Sequence, residues 1–331
     1  LGELARTHGD LVRRWLGGGE GRYRTHAAFR AVAEALWSTG TFVHLPAGAE
    51  ADAPLRIART WASGETAALS RTVIVLERGA SATVLEEIVS DGGGPGRLAV
   101  PLVDARLADG ARLRYVRIQR FADDVWDLGF QRYVSSRDSE LASFNVVVGS
   151  GKTKLGVESD ITGNGATVKL YGLVAADGEQ RIDINSLQRV DGRGSNSDLL
   201  YLSALYGAAR AVYYGTIRVE ATSSGTGSYQ ECRNVLMSDR AGAEPIPVLE
   251  ILTNDVARCG HGATAGRLDD TELFYIMSRG LDRPAAEQLL VRGFFQRVID
   301  RLPHAAVRAR IVEALVPRIG RIAEIDEQRA A

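Results

Sequence analysis

From Gly40 to about Val256 the chain repeats one pattern: a short apolar or alternating run, then a tight break. The runs include Leu55–Ile57, Thr72–Leu76, Ala82–Leu85, Leu98–Val103 and Leu113–Ile118. Further on come Leu141–Val148, Leu155–Val157, Thr167–Val174, Arg181–Leu187 and Ala211–Val219. Gly79-Ala80, Gly92-Gly93-Gly94, Asp109-Gly110-Ala111, Gly149-Ser150-Gly151, Gly163-Asn164-Gly165-Ala166 and Asp177-Gly178 separate them. Gly, Asn and Asp in such clusters mark turns, and short runs between turns read as strands. Val168, Leu170, Gly172 and Val174 alternate with other residues, as a strand with one inward face requires.

No long helical period interrupts residues 41–256, which argues against a doubly wound sheet or a (β/α)₈ barrel. Two architectures remain from the pattern: an antiparallel sandwich or barrel, and a β-helix of stacked coils. Gly-Ala pairs start at residues 79, 110 and 165, in steps of 31 and 55. Coils of roughly 25–30 residues are loosely compatible with those steps. A stack of coils leaves strand edges bare at its ends, so helices or a partner are expected to cover them.

Both flanks read as helical. Leu4, Ala5, Leu11, Val12 and Trp15 share a face before Gly17-Gly18-Gly19. Thr25 is placed to cap a second helix, His26 to Trp37, with Phe29, Val32, Ala33 and Leu36 on one side. At the other end, Leu249–Arg283 marks the change from strand to helix. A strand-like part with Leu249, Ile251 and Val256 leads to a compact turn, Cys259-Gly260-His261-Gly262-Ala263-Thr264. A helix from about Asp270 to Ser278 follows, capped by Asp269 or Asp270 and closed by Gly280 in a left-handed conformation. Pro284 suits the first turn of the next helix, whose Leu289, Leu290, Phe294, Phe295, Val298, Ile299 and Leu302 form an apolar face. A last helix starts near Ala305, and Pro317 is expected to kink or end it. These apolar stripes read first as packing against the β body and second as a docking face. The expected organisation is an N-terminal helical segment (1–40), a β core (41–266) and a C-terminal helical domain (267–331).

Composition narrows the function more than the fold. Among 331 residues, 40 basic and 41 acidic side chains leave a net charge of -1, with no global attraction to nucleic acid or an acidic membrane. Arg112, Arg114, Arg117 and Arg120 form a locally basic strand face, but aromatic residues are not interleaved with them as a base-stacking platform needs. Two cysteines make no disulfide framework. The first apolar stretch carries Glu3, Arg6 and Asp10, and no run has the length of a membrane span. The cytoplasm is the default compartment.

Candidate chemistry is sparse. Gly149-Ser150-Gly151-Lys152-Thr153 lacks the spacing of a phosphate loop, so no intrinsic ATPase is read, and neither triple-glycine run has the dinucleotide fingerprint. His8 and His26 have no companion ligands. Cys259 and His261, two residues apart, offer a soft donor pair to a transition metal or to iron of a cluster. They fall short of the three or four ligands a site requires. Cys232 stands alone as a structural thiol unless the fold brings it near that pair, and Glu231 and Glu250 are available carboxylates. Asp160, Glu179 and Asp183 would have to cluster for a polysaccharide-active β-helix.

Three stretches carry a resemblance: Gly194–Val219, Ser228–Asp239 and Pro247–Gly280. They resemble the SufB/SufD family of iron–sulfur cluster assembly scaffolds, and the similarity covers roughly residues 40–302, from Phe42-Val43-His44-Leu45-Pro46 onward. Cys259-Gly260-His261-Gly262-Ala263-Thr264-Ala265-Gly266 is similar to the C-S-H-G-A-T-V-G-like string of the SufD side. Gly262 stands where SufB has a glutamate, which also favours a SufD-like member. Cys232 matches the position of a SufB cysteine important for cluster assembly. Val190-Asp191 after Gln188-Arg189 departs from the family, which often carries a histidine there.

The resemblance implies a right-handed parallel β-helix with helical termini. It implies a non-catalytic scaffold of the SUF system that pairs with SufB or with a second copy and docks the SufC ATPase. His261, Cys232, Cys259 and, less directly, Glu250 are the expected cluster-assembly or metal residues. Phe274, Tyr275, Arg279, Phe294 and Phe295 are expected to face a partner. No tightly bound cofactor is expected in the isolated chain, only a transient iron–sulfur cluster in the complex, and neither nucleic acid nor membrane is a partner. A β-helical carbohydrate-active enzyme and a metal-free structural homodimer are the alternatives.

Overall fold

The computed structural model describes residues 27–62, 66–92 and 96–319, together with 6, 7, 9 and 10. The readings at Leu4 to Thr25, His8 and His26 lie largely outside these residues. Helix α1 (Ala27–Leu36) precedes sixteen strands: β1 (Thr39–Leu45), β2 (Leu55–Trp61), β3 (Ala67–Leu76), β4 (Ser81–Ser90), β5 (Arg97–Leu107), β6 (Arg112–Arg120), β7 (Val125–Ser135), β8 (Glu140–Val147), β9 (Lys152–Ile161), β10 (Thr167–Ala176), β11 (Arg181–Val190), β12 (Asn196–Leu205), β13 (Arg210–Val219), β14 (Thr226–Leu236), β15 (Gly242–Ile251) and β16 (Val256–Gly266). Three helices follow: α2 (Asp270–Met277), α3 (Arg283–Ile299) and α4 (Ala305–Ile319).

All strand pairs are parallel. Odd-numbered strands form one eight-stranded sheet and even-numbered strands the other, so each coil contributes one strand to each. The chain is therefore a β-solenoid of about eight coils, the stacked-coil architecture and not the sandwich. Lys152, Arg181 and Arg210 stand in one row, 29 residues apart each time, which is the coil length in the middle of the molecule.

One corner explains how the sequence encodes the stack. Gly48, Gly79, Gly110, Asp138, Gly165, Gly194 and Gly225 all have φ between 53° and 73°. Each donates its N–H to the coil above, from Gly48 to the Arg78 carbonyl through to Gly225 and the Asp255 carbonyl. A left-handed residue turns the chain there, and glycine adopts that conformation without a Cβ penalty. The small residue that follows, Ala80, Ala111, Ser139, Ala166 or Ser195, is fully buried in the corner.

The apolar core runs through the coils, from Leu45 and Ile57 to Tyr213 and Cys232. Among the described helices, α1, α3 and α4 lie on the outer sheet faces and not over the ends. Ala33 of α1 packs on the outer face of the odd sheet against Val100, Leu102 and Phe130. Helices α3 and α4 cover the outer face of the even sheet, where Phe295, Ile299, Ile311 and Leu315 meet Val116, Phe144, Leu173 and Leu202. Glu87 anchors α4 through Arg310 at 2.7 Å, and Arg318 donates to the Val148 carbonyl at 2.9 Å. Pro317 does not stop α4, which runs on to Ile319. No helix among the described residues is long and apolar enough to cross a membrane.

The strand-to-helix junction differs from the expected compact turn. Cys259–Thr264 lies inside β16, paired residue for residue with β14. Gly260 and Gly262 point outward, where a Cβ would lie 3.4–3.5 Å from the Tyr229 side chain. The helix caps agree with expectation: Asp269 accepts from the Thr271 and Glu272 N–H groups at 2.7 and 3.1 Å, and Gly280 has φ 95°.

Candidate functional site

Among the described residues, strands β15 and β16 are the last in their sheets, so each leaves one edge unpaired there. Their inner faces are also only partly covered, because no further coil stacks on them. The site is this open rim.

Its chemistry follows from the two-residue period of β14. Ser228, Gln230, Cys232 and Asn234 are buried and point inward, while Tyr229, Glu231 and Arg233 point out. In-register pairing places Cys259 beside Ser228, His261 beside Gln230, Ala263 beside Cys232 and Ala265 beside Asn234. Cys259 and His261 thus share the inner side of the rim strand, about 6.6 Å apart along it. Cys259 is half-buried and His261 is exposed.

Cys232 lies one strand deeper, at 1 % exposure. The Asn234 amide reaches its Sγ at 3.6 Å and the Thr264 carbonyl at 3.0 Å, tying the rim strand to the thiol. Burial pushes the Cys232 thiol up to about 12, with the Asn234 hydrogen bond opposing. Burial also raises the Cys259 thiol, against the Gly260 N–H. Both thiols therefore favour the protonated form, and a metal or sulfur donor must displace a proton from them.

Glu250 is not part of this constellation. It faces outward on β15, where Arg218 holds it at 2.9 Å, and Arg218 also binds Glu220. Glu231 is on the outer face too, engaged by Arg233 and by Arg297 at 3.2 Å. Among the described residues no group of three or more His, Cys, Asp and Glu side chains is placed to hold a metal ion. The rim offers two donors, and a cluster held there needs ligands from outside the chain. Two of the three carboxylates of the carbohydrate reading are in ion pairs: Asp160 with Arg132 at 3.1 Å and Asp183 with Lys154.

The five expected docking residues divide. Phe274 and Tyr275 on α2 are 72 % and 58 % exposed, and Arg279 lies over the Tyr275 ring. Phe294 is half-buried and lines a groove between β16 and α2–α3, with Leu289, Leu290 and Thr264. Phe295 is fully buried against the even sheet and belongs to the core, because the apolar face of α3 turns inward there.

The sequence reading missed Gln230 and Asn234. Gln230 donates to Tyr213 Oη and to the Gly215 carbonyl, both at 3.2 Å, and so fixes the floor beneath His261. The signal was the alternation Ser228, Gln230, Cys232, Asn234, a strand period written in polar residues.

Most of this chain is similar to known proteins. Residues 59–294 match the family described as "SUF system FeS cluster assembly, SufBD core domain". An iron–sulfur cluster assembly SufBD family protein of Mycobacterium bovis is 32% identical over 235 residues, 69% of this chain and 59% of that protein. The iron–sulfur cluster assembly protein SufD of Bacillus subtilis is 25% identical over 316 residues, 95% of this chain and 72% of the relative. SufB of the same organism is 25% identical over 279 residues, 84% of this chain and 60% of the relative. The chain thus spans about three fifths of the length of the mycobacterial relative.

Proposed function

Because the chain belongs to the SufB/SufD family of iron–sulfur cluster assembly proteins, we propose that it is a non-catalytic, SufD-like scaffold subunit of a cytoplasmic SUF complex. Its open last coil pairs edge to edge with a SufB-type paralogue. Helix α2 and the adjoining groove dock a SufC-type ATPase, which supplies the nucleotide hydrolysis. The iron–sulfur cluster is cargo, assembled across the joint and passed on.

The observation that supports this reading is the coincidence, on one rim, of two unpaired strand edges with Cys259 and His261. An unpaired parallel edge is a template for another strand, and burying it satisfies its free N–H and C=O groups. Two donors on each side of such a joint would complete a four-ligand set that neither chain has alone. Cys232, one strand inside, acts as a sulfur acceptor or ligand only when the rim strand shifts, since a buried protonated thiol is inert. A self-dimer through the same edges is the second reading, because the rim donors are equally available to a second copy.

Anaerobic co-purification tests it. The chain should bring down a SufB-type paralogue and a SufC-type ATPase, with iron and sulfide in the complex. His261→Ala and Cys259→Ser should lower the iron and sulfide content while leaving the fold intact, and Glu250→Gln should leave that content unchanged. Unaltered iron and sulfide in both rim variants would defeat the site assignment. A monodisperse monomer beside both partners would defeat the scaffold reading.

A further inference from the structure

A second feature lies away from the rim, on the outer face of the even sheet, where the end of α3 meets the strands. Here a groove of about 280 Å³ is lined by Arg112, Arg114, Glu140, Ala142, Lys169, Tyr171 and Arg301, among others. Arg114, Ala142 and Lys169 occupy one register row across β6, β8 and β10. Side chains in such a row project the same way, and next-but-one strands are about 9.6 Å apart. Alanine is the middle member, so the two cations face each other over a gap.

Arg301 enters from the helix side. Its guanidinium sits over the Tyr171 ring at 5.2 Å and donates to Tyr171 Oη at 3.3 Å. Each nearby carboxylate has an arginine partner, Glu140 within the groove and Asp198 beyond it. Glu140 faces Arg112 at 3.7 Å, and Asp198, next to Lys169 in its row, is held by Arg258 at 3.0 Å. Arg114 and Lys169 are half-buried and make no ion pair within the described residues. Elsewhere on both sheets opposite charges pair across the strands, as in Arg132–Asp160, Lys154–Asp183 and Arg56–Glu87. Like charges gathered in a half-buried groove repel each other, and one multivalent anion between them reverses that term.

We propose that this groove binds a multiply charged oxyanion of the phosphate class, gripped by Arg114 and Lys169 from two sides and by Arg301 from the third. A guanidinium fork suits two oxygens of such an anion, and a lysine ammonium supplies a compact charge opposite. The proposal is independent of the rim and of any partner.

Calorimetric titration of the purified chain at low salt tests it, with orthophosphate, diphosphate and a nucleoside diphosphate as probes. Diphosphate should bind more tightly than orthophosphate, and added monovalent salt should weaken both. Lys169→Gln and Arg114→Gln should each weaken diphosphate binding about tenfold or more. Ala142→Leu, which fills the gap, should do the same. Arg193→Gln, at an exposed arginine elsewhere, should change nothing. Thermal melts identify any variant that fails to fold, and Lys169→Gln removes no side-chain hydrogen bond or ion pair among the described residues. A nucleoside diphosphate that binds like diphosphate assigns recognition to the phosphates; one that does not confines the site to free anions. No binding of any phosphate at millimolar concentration, or diphosphate binding unchanged in Lys169→Gln, overturns the proposal. An RNA oligonucleotide that binds where diphosphate does not also overturns it.

Discussion

Cys232 pairs in register with Ala263, four residues along β16 from Cys259. That spacing separates the two thiols by about 13 Å along the strand direction, beyond disulfide reach and beyond one metal ion. The thiols differ as much in access as in place. A thiol reagent at neutral pH should label one residue per native chain, Cys259, and label Cys232 only in denaturant. Cys259→Ser should abolish native labelling. Equal native rates for both thiols would contradict the sealed position of Cys232.

The same burial sets an alkaline limit. The Cys232 thiol is pushed from its ordinary 9.0 to about 12 in the fold, so the unfolded chain ionises it first. Its contribution to stability is fully present below pH 9 and is lost as the pH rises from 9 towards 12. The buried hydroxyls of Tyr115, Tyr133 and Tyr201, all raised by desolvation, act in the same direction at higher pH. Denaturant midpoints should therefore fall above pH 9, and less steeply in Cys232→Ala. An identical slope in that variant would show that the thiol ionises over the same pH range folded and unfolded.

Two glycines separate conformational strain from collision. Gly79 has φ 71° and open space around it, so Gly79→Ala should cost about 1–2 kcal/mol, the left-handed penalty. Gly192 has an ordinary φ, but a Cβ there would lie 1.9 Å from the Gly163 carbonyl oxygen of the coil below. Backbone cannot yield as a side chain does, so Gly192→Ala should cost on the order of 3 kcal/mol or more. Equilibrium unfolding of both variants should preserve that order.

The coil period was only half legible in the sequence, and Asp138 is the reason. It holds the left-handed corner that glycine holds in the neighbouring coils, so the Gly-Ala series skips from 110 to 165 and two coils read as one step of 55. Strand β7 was missed for a related reason. Its inward residues include Asp127, Gln131 and Ser135, all buried, so hydrophobic alternation fails where burial is complete. The family strings around Cys232 and His261 were visible, yet their relative depth was not. Depth depends on which strand is last, a property of the stack and not of any local motif. Glu250 falls on the outer face of β15, in register with Arg218 of β13, and which parity faces inward is set by that pairing and not by spacing.

Asp127 illustrates what that polar interior demands. Its carboxylate meets Arg117 at 2.8 Å, and both side chains are almost wholly buried. Asp127→Asn leaves the Arg117 charge without its counter-ion in the middle of the solenoid. A loss of about 3–5 kcal/mol is expected, measured by chemical denaturation. Replacing both partners with apolar residues of similar volume should restore much of that loss. If the single variant were neutral, the pair could not be a structural requirement of this coil.

Two phenylalanines, Phe274 and Phe295, allow docking to be told apart from folding. Phe274 is 72 % exposed on α2, so Phe274→Ala should leave stability within about 0.5 kcal/mol of the parent. Tyr275→Ala should behave alike, since its hydroxyl accepts only from Arg279, just past the end of the same helix, at 2.9 Å. Phe295 is packed between α3 and the even sheet, and Phe295→Ala should cost about 3–5 kcal/mol. If α2 is where the ATPase docks, the two surface variants lose its capture at unchanged melting temperature, with the residual binding concentrated in groove residues such as Phe294. Phe295→Ala would lose capture only in step with its loss of fold. Full capture by the Phe274→Ala, Tyr275→Ala double variant would move the docking surface off α2, because no other described segment beyond β16 exposes aromatic side chains so fully.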